Sequence, residues 1–452
     1  MNHLTSQQRK WLYVAGIVVL LVPIIYLGMP PEPATARSGE ISGGKLAELR
    51  LKDKLGESAL GNVDPASSTM GLLLLGFRGI ATSILWMDWQ DQQRNKDWAA
   101  LRATTESIIL LQPHFLKVWH YQGWNLAYNV SAEWDAVADR YYWVKEGIKF
   151  FKKGRERNDK YAELYWYVGD TTGKKIGRSD EWKQFRRFYR SDPDVARFEG
   201  RPDPEVNPNG RDNYLEARDW FQRANETIDS SGNLEHIMAI YLFRAYPMRA
   251  EFDYAGTMQR EGIFDEVCIE AWKTAFDDWT TKYGIMEFDC PIGSIHFEVT
   301  GDELDQMIAE EDAQNLTERD RKSYWIGNYQ NQTNYRFWRL KSRVESEKEM
   351  AEAHREMYEG EQALHRADTA VARKLLWDGM SKYEKILEEY SDLKKEDETI
   401  DEALLALHGW RECVELDDEE IPDAYPLKEF WDLNPKRRET AKEEFNRRRR
   451  GR

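Results

Sequence analysis

Val137-Ala-Asp-Arg-Tyr-Tyr-Trp-Val-Lys-Glu-Gly-Ile-Lys-Phe-Phe151 decides the fold class. Val137, Tyr141, Val144, Ile148 and Phe151 recur at steps of four and three, which lines up one face of an α-helix; a strand would alternate apolar and polar side chains. Tyr161, Leu164, Tyr165 and Val168 repeat the spacing, as do Leu376, Met380, Tyr383, Leu387 and Tyr390. The punctuation between stripes is of helix-hairpin type. Lys153-Gly154 reads as a helix end, and Asp368 or Thr369, after Ala367, as the cap of the next helix. Only Ile295 to Val299, inside an irregular stretch from Tyr283 to Gly301, has strand character. An all-α body is therefore expected.

Stacked hairpins invite comparison with the tetratricopeptide repeat, which sets a bulky residue and then a small one on its first helix so that the second helix can approach closely. With Pro113 in the closing position, Trp119 and Gly123 take the large and small places, and Leu126 fills the aromatic slot imperfectly. Tyr165 and Gly169 reproduce the pair. The two glycines are 46 residues apart (169 − 123), so a strict period of roughly 34 residues fails. The expectation is a tetratricopeptide-like array of degenerate repeats, an irregular solenoid, with an irregular bundle as the alternative. Residues 363–390 read as a further hairpin half, with Ala367-Asp368 as the turn and Ala372 as the small residue.

The N-terminus sets the expected location. Trp11 to Met29 carries no charge and lies between Arg9-Lys10 and Pro30-Pro31-Glu32-Pro33. As a helix it would span roughly 28 Å, close to a bilayer's hydrocarbon thickness, with Trp11, Tyr13 and Tyr26 at the interfaces. A cleaved signal peptide is the competing reading, because Ala34-Thr35-Ala36 has the small-residue form of a cleavage site. The expected organisation is a short basic tail at 1–10, a transmembrane anchor at 11–29 and a juxtamembrane linker at 30–69. A helical domain follows at 70–280, then an irregular insertion at 281–330 and a long helical hairpin at 331–395. A C-terminal segment at 396–435 and a basic tail at 436–452 complete the chain. Residues 70–87 are apolar around Arg78, whose charge argues against a second span and for a buried first helix of the body.

Composition narrows the function. A net charge of −16 argues against nucleic-acid binding, which needs a basic face. Cys268, Cys290 and Cys413 form no Cys-x-x-Cys pair; Cys268 and Cys290 could bridge or stay free. Gly169-Asp-Thr-Thr-Gly173-Lys174-Lys175 lacks the spacing of a phosphate loop and reads as a helix end with lysines on the C-terminal dipole. His354 and His365 read as surface residues, and neither a zinc nor a nucleophile motif occurs. No catalytic, cofactor or metal residue is therefore assigned. Trp86, Trp89, Trp98, Trp119, Trp124, Trp134, Trp143 and Trp166 crowd into one region and read mainly as core, with a partner groove as the alternative. The tail ends Arg447-Arg448-Arg449-Arg450-Gly-Arg452. It reads as a solvated helix end, and those four arginines are the candidates for electrostatic docking on anionic lipid.

The runs Leu111-Gln-Pro-His-Phe-Leu-Lys-Val-Trp119, Gln122-Gly-Trp-Asn-Leu-Ala-Tyr-Asn129, Asp139-Arg-Tyr-Tyr-Trp-Val-Lys-Glu-Gly147 and Lys175-Ile-Gly-Arg-Ser-Asp-Glu181 resemble a family of membrane-anchored planctomycete proteins of uncharacterised activity. The resemblance continues through Asn334-Tyr-Arg-Phe-Trp338 to Tyr425-Pro-Leu427, and it implies an architecture without a site. An "iron-responsive element" label attached to some members finds no support in this acidic chain, which has no RNA-binding signature. The functional expectation is a non-catalytic, single-pass scaffold of a bacterial inner membrane, its body in the periplasm and bound to a protein partner. An exported or membrane-bound enzyme or metal-dependent protein with an unrecognised site is the alternative, which gains weight if polar residues such as Asp139, Arg140, Lys175 and Asp180 line a cleft.

Overall fold

A computed structural model describes residues 5–28, 78–231 and 238–449, and they are mostly helical. The chain divides into two compact units, Met1–Arg211 with Arg223–Glu235, and Asp212–Gln222 with His236–Arg452. The linker 30–69 and Arg450 lie outside the described residues. The N-terminal helix, Ser6–Gly28, carries Pro23 inside it, and the side chains described along it, from Trp11 at 71% to Val22 at 62%, are exposed. The side chains of residues 21 and 24–28 are outside the described set. Among the described residues no helix is long and apolar enough to cross a membrane.

In the first unit, Arg78–Arg94 and Trp98–Leu111 form a hairpin whose turn is capped by Asp97, its side chain accepting from the Ala100 amide. Trp89 is buried and donates to Thr105 Oγ1 at 2.9 Å, but Ile80, Ile84 and Met87 point outward. The expected buried helix is thus covered on one face only. Next, Leu116–Trp124 runs into a wider π-turn at Asn125–Val130 and packs on Val137–Arg157. Ala162–Asp170 then runs into a second π-turn at Thr171–Lys175.

These two helices repeat one register: the starts are 46 residues apart (162 − 116), and so are the π-turns (171 − 125). Gly123 is the notch at the first crossing, since a Cβ there would lie 2.5 Å from Phe151 Cε1. Gly154 does not end a helix, contrary to expectation; it sits inside Val137–Arg157, where a Cβ would meet Trp119 at 2.9 Å. Gly173 likewise lies within a π-turn that continues into Ile176–Arg178, because the chain absorbs an extra residue there without breaking.

The second unit places its strands earlier than expected. Phe288–Cys290 pairs antiparallel with Gly293–Ile295, so only Ile295 of the anticipated strand takes part. Phe297 instead turns inward, 0% exposed, and stacks 4.9 Å from Phe288. Helices Gly301–Ala313 and Lys322–Thr333 occupy most of the rest of 281–330. Lys348–His365 and Thr369–Glu389 then pair along their length, with Leu376, Met380, Tyr383 and Leu387 buried as one stripe. The turn between them has Ala367 in the left-handed region (φ 61°), and Asp368 caps the Val371 amide, as the sequence indicates. Gly360 and Gly379 let the pair close, facing Leu376 and Met357 at 2.7 and 2.8 Å from an added Cβ. All three cysteines are free thiols.

The basic tail is not a frayed extension. Pro435–Arg449 is a helix packed on Asp397–Leu416, with Ala441 and Phe445 buried one turn apart. Phe445 lies against Gly409 and the ring of His408. Removing this helix would therefore open the core, so the tail cannot be trimmed without cost. Phe445→Ala is expected to lower the unfolding free energy by about 3 kcal/mol. A denaturant titration reads it, and an unchanged midpoint would show that the helix contributes no packing.

Candidate functional site

A helix whose inner stripe is buried must expose its opposite stripe, and on Leu116–Trp124 with its π-turn that stripe is aromatic. Tyr121 and Trp124 are exposed at 43% and 41%, and Tyr128 follows at the next step of four. Trp124 and Tyr128 stack 5.5 Å apart, while Tyr121 lies 6.0 Å from both Trp86 and Trp89. His120 stacks 4.1 Å from Tyr167, which holds the corresponding place to Tyr121 on the repeated helix. The Lys175 ammonium sits 5.0 Å over the Tyr128 ring. Burial lowers its pKa, and no carboxylate oxygen comes within 4.0 Å of it among the described residues. Burial and the nearby Asp170 charge both raise the Tyr128 pKa, so that hydroxyl stays a donor.

Below the rings lie two amides. Gln122 and Asn125 are buried, Asn129 donates to Asn125 Oδ1 at 2.9 Å, and Gln122 Oε1 and Asn125 Nδ2 have no partner. Both amides lie on the buried face of the helix, so they belong to its packing and not to the exposed ring surface. Of the crowded tryptophans, Trp89, Trp119 and Trp166 are buried whereas Trp124 and Trp134 are exposed, so the cluster is part core and part surface. The other repeat positions serve packing. Pro113 gives its carbonyl to Trp119 Nε1 at 2.7 Å, Tyr165 donates to the Asp159 carbonyl, and Gly169 is buried. Of Asp139, Arg140, Lys175 and Asp180, the last three are grouped closely enough for the Arg140 and Asp180 charges to act on Lys175; Arg140 pairs with Glu181, and Asp139 and Asp180 are exposed.

The tail arginines are engaged as well. Arg447 pairs with Glu444, Arg448 with Glu444 and Glu361, and Arg449 with Glu412. These are largely exposed pairs, each worth little, and they leave the charges available to exchange partners.

The second unit holds a polar cluster that the sequence reading placed at the surface. His354 is 6% exposed, with Nδ1 2.6 Å from Glu402 and Nε2 3.0 Å from Glu345. The Glu345 contact is poorly aligned for a hydrogen bond, so charge attraction carries it. Burial works against the charged ring, but two carboxylates overcome it and raise its pKa well above the ordinary value. Burial alone would raise Glu345 too; the His354 and Lys341 charges and the Gln259 hydrogen bond instead hold it down at about 2. The result is an imidazole held between two carboxylates whose charges favour its protonated form, a clasp between helices. Among the described residues no group of three or more His, Cys, Asp or Glu is arranged to hold a metal.

Glu251 shows the opposite shift. Its carboxyl is 5% exposed, and burial and the Asp278 charge push it up to about 8 despite Arg218 at 3.3 Å. Comparison with known proteins adds no relative: no family model matches the chain, and neither a curated protein nor a solved structure matches it.

Proposed function

We propose that the chain is a single-pass membrane protein whose tetratricopeptide-like helical body holds a protein partner, and that the Tyr121, Trp124 and Tyr128 stripe is the contact surface. The observation that supports it most is the exposed aromatic stripe on a helix whose other face is closed by a buried glycine notch. Exposed rings on a rigid helix are favoured contact residues because they bury large areas with little loss of side-chain freedom. Residues 11–29 are the anchor in this reading, and their uncharged length supports it. The inner membrane of a bacterium, with the body in the periplasm, is the location that follows from the planctomycete resemblance and the short basic tail. Anionic-lipid contact through Arg447 to Arg450 is a secondary element, dependent for Arg447, Arg448 and Arg449 on release of their carboxylate partners.

The anchor is tested by alkaline extraction of membranes from cells expressing the full chain or a chain lacking residues 1–29. The full chain should stay with the lipid and the shortened chain should be released. Release of both, with a mature terminus at Arg37, would replace the anchor with a cleaved signal.

A further inference from the structure

We infer that the outer face of the helix Arg78–Arg94 is a second membrane contact, seated on the acyl surface of a zwitterionic bilayer. The inference rests on the anchor reading, which brings the bilayer within reach, and it adds the part of the body that touches lipid. Ile80, Ile84 and Met87 stand at steps of four and three on that face, and each is more than half exposed. The opposite face is already packed. Thr82 and Trp89 are buried, Trp86 stacks on Trp89 at 4.9 Å, and Leu85 packs with Leu101 and Ile108 in the same cluster. A helix that is apolar on both faces is stable where something apolar covers the second one.

The chemistry of the face selects lipid as the cover. No charged residue lies between Arg78 and Asp88, and Ser83 turns its hydroxyl back to the Gly79 carbonyl at 3.0 Å, so the face presents aliphatic surface without a directional group to fix a protein partner in register. The 49 residues before Arg78 (77 − 28) lie outside the described set, and the last eight of them, Met70-Gly-Leu-Leu-Leu-Leu-Gly-Phe77, are uncharged and apolar. The chain thus reaches this face through further apolar sequence. Three aliphatic side chains hold a bilayer weakly when untethered, but an anchor on the same chain makes the contact intramolecular, and a weak apolar patch then stays docked. Asp88 and Asp91 follow the stripe and no Lys or Arg lies between residues 79 and 93, so anionic headgroups add nothing and salt leaves the contact unchanged. It is a contact and not a span, because Thr82 and Trp89 remain inside the body.

The test places a fluorescent amino acid at Met87 of the full chain in phosphatidylcholine nanodiscs and measures its quenching by the same lipid brominated along the acyl chains. Position 102 on the neighbouring helix, where the Arg102 side chain is 66% exposed, is the control. Quenching of at least about two-fold at position 87 and none at 102, alike at low and high salt, is the expected result for a face buried at the acyl boundary. Ile80→Asp combined with Ile84→Asp should remove most of that quenching by putting two charges on the apolar face. Both residues are exposed, so the fold is kept, and circular dichroism checks it. Equal quenching at both positions, or none at 87 in chain that co-elutes with the discs, would overturn the lipid contact and leave the anchor standing. A label at 87 that bromine does not reach and whose emission shifts with chain concentration would give the face to a second copy and overturn the lipid contact too. Chain that elutes separately from the discs would overturn both the contact and the anchor.

Discussion

His354→Ala is expected to be the most damaging single substitution in the second unit, lowering its unfolding free energy by about 3–5 kcal/mol. Removing one partner of a buried pair leaves the other charge without compensation, and here that charge is Glu345, itself 5% exposed. Glu402, at the more exposed end, can turn to water and contributes less. The pH dependence follows from the two shifts. The His354 pKa is raised, so its contribution is complete below the unfolded value of about 6.5 and is lost as pH climbs through the folded value. The Glu345 pKa is depressed to about 2, so its contribution is complete above the unfolded value near 4.5 and fades as pH falls toward 2. The deficit of His354→Ala should therefore be largest between about pH 4.5 and 6.5, where both contributions are complete, and shrink in stronger acid, where the stranded Glu345 can take a proton. Urea titrations within that window and in stronger acid check this, and a deficit independent of pH would mean that the ring acts by packing alone.

Gly123→Leu is the second large effect, expected at about 1–3 kcal/mol of destabilisation through overpacking. An added Cβ already falls 2.5 to 2.8 Å from three atoms of the Phe151 ring, and Phe151 is 1% exposed with no room to retreat. The opposing helix is notched at the same place: a Cβ on Gly147 would meet the Gly123 carbonyl at 2.7 Å, and backbone cannot swing away as a side chain can. Gly123→Ala should be milder, and Gly147→Leu at least as severe as Gly123→Leu. Thermal unfolding that left Gly123→Leu indistinguishable from the native chain would show that the two helices do not cross there.

The helical body was legible because its signal is local. Tyr141, Val144, Ile148 and Phe151 are all buried, as their spacing requires, and the Asp368 cap is a property of four consecutive residues. The sorting of the tryptophans was not legible, since Trp119 and Trp124 lie five positions apart on one helix and their fates depend on which face the next hairpin covers. The clasp was hidden for the same reason. His354 looks like a surface histidine among glutamates until Glu345, Glu402 and Gln259 arrive from three other helices. In the tail, the charge of the arginines masked a real signal, because Ala441 and Phe445 stand four apart on one stripe. The π-turns left no trace in composition; only the recurrence of the large-small pair after 46 residues hinted that the two helices share a register.

The scaffold reading turns on whether the aromatic stripe meets another protein. Full-length chain carrying a photo-activatable benzophenone amino acid in place of Trp124 should, on irradiation in native membranes, form a discrete adduct with one partner, and Tyr121→Ala on the same chain should diminish it. Adducts matching those formed from the exposed Arg102 position, and unchanged by Tyr121→Ala, would contradict the account.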